Sequence, residues 1–325
     1  MNVLLVFIDG LGIGENNPLK NPCANESVKI LNITETTQSH MNLPQDGVMV
    51  PLDATLEVKG LPQSATGQTA LLTGVNAAKR LGYHKQGFPN QQLRNLLKQK
   101  SILKLATQMG KRAAFINAFR PKFFECRTEE IIQRMSVTTV ANWAAGLPFF
   151  TLQDIIDGRA IYQDFTNGDL MNRGFDMPLY SAQQAGAILA RASQQYDFCL
   201  YEYFKTDHAG HAQNLARAQS EILKLEDFLQ TLISQMDFRA SLLIVTSDHG
   251  NIEDVSVRTH TTNPVPAFLW GVKAKVYSEG LHSLTDIVPL IVAALNENPI
   301  SKMKQNTMHG LKLEFFQGKE VITCQ

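Results

Sequence analysis

With 325 residues, 44% of them hydrophobic, and 30 basic against 30 acidic side chains, the chain has an ordinary soluble globular composition. It is long enough for one large domain or two smaller ones with a sizeable core. The charge balance excludes a bulk electrostatic case for nucleic acid or an anionic membrane.

The N-terminal MNVLLVFIDG carries a short apolar run, Val3 to Ile8, that ends in an acid with no basic region or cleavage site. Neither a signal peptide nor a membrane span is expected there. Cys23, Cys126, Cys199 and Cys324 are scattered without paired spacing, which fits a reduced cytoplasmic protein.

Val3 to Ile8 reads as a buried strand, followed by Asp9 and Gly10. Residues 14 to 60, rich in Asn, Pro and Thr, read as long loops with one short helix. In GLPQSATGQTALLTG, Ser64 stands where a helix begins and Gly74 near its end. A hydroxyl at that position is most simply a cap. Gln91 to Met109 has helical spacing, and Arg112 to Ala118 reads as a strand. From 120 to 179 the chain breaks into short helical and polar pieces, an expected cap inserted over the sheet. Ser181 to Gln195 then reads as a helix, Phe198 to Phe204 as a strand, and a long amphipathic helix carries Ile222, Leu225, Leu229, Leu232 and Ile233. Leu242 to Val245 is a continuous apolar run, read as a buried strand. Asp248, His249 and Gly250 follow it, then His260 and the stiff Asn263-Pro264-Val265-Pro266. His282 to Leu295 reads as a last core helix. The expected fold is α/β: a mainly parallel central sheet flanked by helices. Its core would span 1–119 and 180–325, with the insertion at 120–179.

Three of these strands end near an acid: Asp9, Asp207 and Asp248. Parallel strands bring such ends to one edge of the sheet, where open α/β folds bind ligands. Asp207 and His211 share a D-x-x-x-H spacing with Gly210 between them, read as a loop wrapping one ion. Asp248 and His249 would point to opposite faces of an extended strand, so they serve one site only if the strand stops there. Asp and His together suit zinc, manganese or iron better than calcium or magnesium. Each position alone has a plainer explanation, since acids after strands are common turn and cap residues. Their joint occurrence at strand ends favours a metal site.

The N-terminal D-G, S-A-T-G-Q-T-A-L-L-T-G, D-H-A-G-H, S-D-H-G-N-x-E and H-T-T-N-P-V-P together resemble the alkaline phosphatase superfamily. The last two motifs are most similar to the cofactor-independent phosphoglycerate mutase and phosphopentomutase branch. That resemblance implies an alkaline-phosphatase-like sheet and two divalent metal ions, zinc or manganese. Asp207, His211 and His260 would hold one. Asp9, Asp248 and His249 would hold the other, with Ser64 reaching it as nucleophile. The step from Ser64 to Gly74 matches the superfamily's nucleophile helix, whereas counting from Gly60-Leu61-Pro62 as in the mutases points to Thr69. A sulfatase is disfavoured because Thr66 and Gln68 stand where that family places Pro and Arg.

The implied chemistry is phosphoryl transfer on a small phosphorylated metabolite through phosphoserine, as phosphatase or phosphomutase. A phosphodiesterase and a catalytically silent metal-binding scaffold are the alternatives. The mutases carry a much larger inserted domain than 120–179, which counts against phosphoglycerate itself as substrate. Lys205, Arg120, Lys122 and Arg127 are candidate substrate contacts, and His84 and Lys85 could approach from the loop after the nucleophile helix.

Overall fold

The structure is a computed structural model that describes residues 1–37, 41–125 and 134–296. Among these residues, seven strands form one sheet: β1 (Asn2–Ile8), β2 (Met41–Leu43), β3 (Gly47–Leu52), β4 (Ala113–Phe115), β5 (Phe198–Tyr203), β6 (Ser241–Thr246) and β7 (Val265–Gly271), in the spatial order β2-β3-β7-β6-β1-β5-β4. The four strands β6, β1, β5 and β4 run parallel, while β7, β3 and β2 extend the sheet through antiparallel pairings. The expected mainly parallel α/β architecture is therefore present, with an antiparallel flank.

Helices cover both faces, as buried parallel strands require. Val3, Leu5 and Phe7 of β1 face one layer. That layer is built from α1 (Ser64–Thr73), α2 (Gln91–Lys100), α3 (Ile102–Gln108), α4 (Val137–Ala144) and, last in the chain, the helix Ile287–Leu295. Leu4, Val6 and Ile8 face the other layer, where α5 (Ala182–Ser193) packs beside a helix spanning Leu215–Gln235. The alternation is the period-2 signature of a strand, and each fully buried Leu, Ile or Phe stabilises the fold by about 1.5–3 kcal/mol. Residues 120–179 bury side chains in both layers: Val137, Val140 and Ala141 in the first, Ile155, Ile161 and Phe165 in the second.

The structure differs from the sequence reading in several places. The helix expected from Gln91 to Met109 is two, because buried Ser101 caps the second by accepting from the Lys104 N–H at 3.4 Å. The strand expected at Arg112 to Ala118 is shorter, Ala113–Phe115. Within residues 14 to 60, read as loops, β3 alternates Val48, Val50 and Leu52 toward one layer with Met49 toward the other. Its Pro51 stands opposite Pro266 of β7, and a non-hydrogen-bonded antiparallel position tolerates two residues without N–H groups. The loop before β2 is anchored by buried Glu226, which accepts the backbone N–H groups of Lys29, Ile30 and Leu31 at 2.9–3.1 Å. Among the described residues no helix is long and apolar enough to cross a membrane.

Candidate metal centre

Strands β6, β1 and β5 are neighbours and parallel, so the residues after them emerge side by side at one edge. Asp9 follows β1 directly. Asp248 follows β6, which stops at Thr246, so Asp248 and His249 escape strand geometry and turn toward the same site. After β5 the expected ion-wrapping loop is instead a short helix, α6 (Lys205–His211). Asp207 and His211 are thus one helical turn apart on the same face, the i,i+4 spacing that aligns two side chains. Gly10 lets the chain pass: it has φ +72°, and a Cβ there would stand 2.9 Å from Asp207 Oδ1.

Two clusters result, Asp207–His211–His260 and Asp9–Asp248–His249, each with ligand atoms within 4.8 Å of one another. In the first, His211 Nε2 lies 3.4 Å from Asp207 Oδ2 and 3.3 Å from His260 Nε2, which is 3.6 Å from Asp207 Oδ1. In the second, His249 Nε2 lies 3.3 Å from Asp9 Oδ1 and 3.4 Å from Asp248 Oδ2. Four ligands held tetrahedrally about 2.1 Å from one zinc-like ion are separated by about 3.4 Å. The observed spacings match that figure.

Hydrogen bonding sharpens the fit. His211 Nδ1 and His260 Nδ1 each lie 2.8 Å from a backbone carbonyl, of Arg258 and Pro62 respectively. A carbonyl only accepts, so each ring carries a proton on Nδ1 and, in its neutral form, turns a bare Nε2 lone pair toward the other. Two lone pairs at 3.3 Å repel unless a cation lies between them. In the second cluster, Asp9 Oδ1 and Asp248 Oδ2 are buried without any hydrogen-bond donor. Burial and the adjoining Asp9 carboxylate push Asp248 well above the usual carboxylate range. Burial opposes charge on His249, but Asp248 and Asp9 overcome it and lift the imidazole to about 10. At His260, burial and the neighbouring His249 depress the imidazole to about 4. The donor set therefore fits divalent cations, by its spacing, the aim of its imidazoles and its two buried carboxylate oxygens without a hydrogen bond.

Residues that the sequence reading passed over hold these ligands in place. Asn251 Nδ2 donates to Asp207 Oδ1 at 2.6 Å, Gln68 Nε2 to Asp9 Oδ2 at 3.2 Å, and Thr206 Oγ1 to the Asp9 carbonyl at 2.5 Å. Buried Glu253 accepts from Gly12 N, Asn251 N, Thr261 Oγ1 and Asn263 Nδ2, tying the loop after β6 to the segment before β7. Asn251 and Glu253 lie inside the S-D-H-G-N-x-E motif, so their signal was present although their partners were not.

Ser64 is the first residue of α1 and makes no capping bond; its Oγ lies 3.1 Å from His249 Nε2. The capping explanation is thereby replaced. Thr69, the other candidate, is fully buried in the body of α1 and donates to the Ala65 carbonyl at 2.6 Å. Ser64 also lines a cleft of about 700 Å³ with Gln63, Gly87, Asp207, His211, Arg258 and His260.

The substrate contacts anticipated from the sequence do not gather in that cleft. Lys205 Nζ pairs with Asp169 at 2.5 Å. His84 Nε2 lies 3.1 Å from the Val58 carbonyl and is not among the residues lining the cleft. Lys85 bonds through its backbone to Thr66. Arg120 and Lys122 line a separate cavity of about 530 Å³ over the ends of β4 and β5. Arg127 lies outside the described residues. Among the described lysines and arginines, the one that lines the cleft is Arg258, two residues before His260.

Residues 172–299 match the family model of the Metalloenzyme superfamily. The 2,3-bisphosphoglycerate-independent phosphoglycerate mutase of Methylobacillus flagellatus is 29% identical over 116 residues, 34% of this chain and 22% of that protein. The corresponding protein of Gracilaria tenuistipitata var. liui is 31% identical over 145 residues, 42% and 27% of the two chains. The chain thus spans about a quarter of the length of the curated relatives it matches. Among solved structures, PH0037 protein from Pyrococcus horikoshii shares the fold, with a TM-score of 0.56, 17% identity and coverage of 91% of this chain and 97% of that one. The resemblance carried by the motifs is borne out. Over residues 172–299 the chain is similar to the Metalloenzyme superfamily, and over 34% to 42% of its length to the 2,3-bisphosphoglycerate-independent phosphoglycerate mutases.

Proposed function

We propose that this protein transfers the phosphoryl group of a small phosphomonoester through a phosphorylated Ser64, as a phosphatase or phosphomutase, with zinc or manganese at both clusters. The observation that carries the proposal is the position of Ser64 Oγ, 3.1 Å from His249 Nε2, on the wall of the cleft that Asp207, His211 and His260 also line. Asp207, His211 and His260 would hold one ion, and Asp9, Asp248 and His249 the other. Bound there, divalent ions supply Lewis-acid stabilisation of phosphoryl charge and lower the pKa of a coordinated hydroxyl.

The chain's own residues do the rest. Ser64 Oγ attacks phosphorus in line and gives up its proton as the P–O bond to the alcohol breaks, so that phosphoserine remains and the alcohol departs protonated. The N-terminus of α1 begins at Ser64, so its positive end faces the phosphoryl oxygens. Arg258, on the cleft wall, offers a guanidinium for the same oxygens. Glu253 and Asn251 keep the ligand loops from relaxing, and phosphoryl transfer depends mainly on such positioning. Water completing the second half gives a phosphatase, a substrate hydroxyl a mutase.

Release of p-nitrophenol from p-nitrophenyl phosphate with Mn²⁺ or Zn²⁺, compared between wild type and Ser64→Ala, tests the proposal. Metal-dependent turnover that vanishes in the variant supports it. Absence of turnover on any phosphoester in the wild type sinks it in favour of a silent metal-binding protein. Free phosphate against isomer formation, over a panel of sugar and glycerate phosphates, separates phosphatase from mutase.

A further inference from the structure

The cavity over the ends of β4 and β5 belongs to neither metal cluster. Its volume is about 530 Å³, and buried Glu202 is among the residues that line it. Glu202 sits on β5, paired in register with Phe7 of β1. Its side chain is 7% exposed. One carboxylate oxygen accepts from Thr138 Oγ1 at 2.5 Å, and its backbone N–H is held by Asn117 Oδ1 at 2.9 Å. Among the described residues it has no cationic partner within ion-pair distance, although buried carboxylates are ordinarily paired. Burial raises its carboxyl to about 7, the Thr138 bond working against this and the Asp9 charge adding to it.

Aromatic rings wall the cavity: Phe119, Phe123, Tyr162 and Phe204. Phe119 and Phe123 stand with centroids 4.3 Å apart. Arg120, Lys122 and Arg134 stand along the same cavity, the latter two exposed. The lining thus combines a buried acid without a cationic partner, aromatic rings and three cations. Acid and aromatic rings together attract a cation, and ammonium groups are the ligands such aromatic enclosures recognise. The cations attract an anion. A single small molecule satisfies both ends only if it carries an ammonium at one end and a carboxylate or phosphate at the other.

We propose that this cavity binds a small zwitterion, its ammonium on Glu202 among the aromatic rings and its anionic group against Arg120, Lys122 and Arg134. The site is independent of phosphoryl transfer at Ser64, so it is tested on the chelated, metal-free protein by titration calorimetry. The probes are 2-aminoethyl phosphate and β-alanine, each paired with its hydroxyl analogue, 2-hydroxyethyl phosphate and 3-hydroxypropionate. The expected result is that at least one amine binds tenfold or more tightly than its hydroxyl partner; the tighter amine identifies phosphate or carboxylate as the outer group. Glu202→Gln should bring amine and hydroxyl analogue to within about twofold, and Arg120→Gln should weaken both alike. Phe123→Leu, which keeps the carboxylate, should reduce the amine preference several-fold. Equal binding of amine and hydroxyl, an unchanged preference in Glu202→Gln, or no binding of any probe would each overturn the proposal. Turnover of p-nitrophenyl phosphate by these variants reports separately on the Ser64 chemistry.

Discussion

The two ligand clusters share a donor chemistry of carboxylate and imidazole but not an environment. In the outer one the side chains of His211, Asp207 and His260 are 39%, 14% and 8% exposed; in the inner one His249 and Asp248 are 0% and Asp9 11%. The outer imidazoles are both aimed by backbone carbonyls. His249 has no partner on Nδ1 and lies stacked on His260, with ring centroids 3.8 Å apart. The outer cluster is therefore a preformed, accessible receptor. The inner one is a closed set of buried carboxylate and imidazole donors. An ion at 100 times its Kd stabilises the native state by about 2.7 kcal/mol. Metal exchange should accordingly be faster at the outer cluster than at the inner one.

The sharpest way to break this comparison is at Ser64, which belongs to the inner cluster yet faces the outer cleft. Ser64→Ala should lower phosphomonoester turnover by about a thousandfold or more. Metal content measured by mass spectrometry should still show the outer ion; its loss would mean that the clusters do not act as separate receptors.

Next comes Glu202, a buried acid that belongs to neither. Its folded pKa, about 7, exceeds the ordinary 4.5. The associated stability is therefore present below about pH 4.5 and is lost as pH rises to about 7. Glu202→Gln removes that loss, so at pH 8 relative to pH 4 it should gain about 3 kcal/mol over wild type in denaturant melts of the metal-free protein. A parallel pH profile for both proteins would contradict the burial account.

Asn251 tests the outer cluster alone. Asn251→Ala frees the Asp207 carboxylate and should weaken the outer ion by about 10–100-fold, with the inner ion unaffected in a chelator competition. The smallest effect is expected from Thr69→Ala, whose hydroxyl only bonds back to Ala65: about 1 kcal/mol in stability and turnover within roughly threefold of wild type. A collapse of activity there would transfer the nucleophile's role from Ser64 to Thr69.

Much of this centre was legible because strand ends write themselves into sequence. Asp9, Asp207 and Asp248 each follow an apolar run, and parallel topology does the gathering. His211 was legible from its spacing to Asp207, although α6 replaced the expected loop: four residues fit one helical turn as well as one loop. Strand β3 was not legible, since Pro51 breaks its local pattern and its partner β7 lies more than two hundred residues away. Glu202 reads as an ordinary strand residue until Thr138 and the cavity around it are seen. Nothing local shows that Lys205 is engaged by Asp169, or that Arg258 faces the cleft, because side-chain direction is set by packing.

The central position of β1 has one more consequence. Its neighbours β5 and β6 both lie far along the chain, so all of its pairings are long-range. Gly10 meets Asp248 across 238 residues of chain. Contacts of such sequence separation form late and slowly. The Asp9–Asp248–His249 cluster is therefore complete only once β6 has paired with β1, and a chain cut before β6 would leave Asp9 without Asp248 and His249.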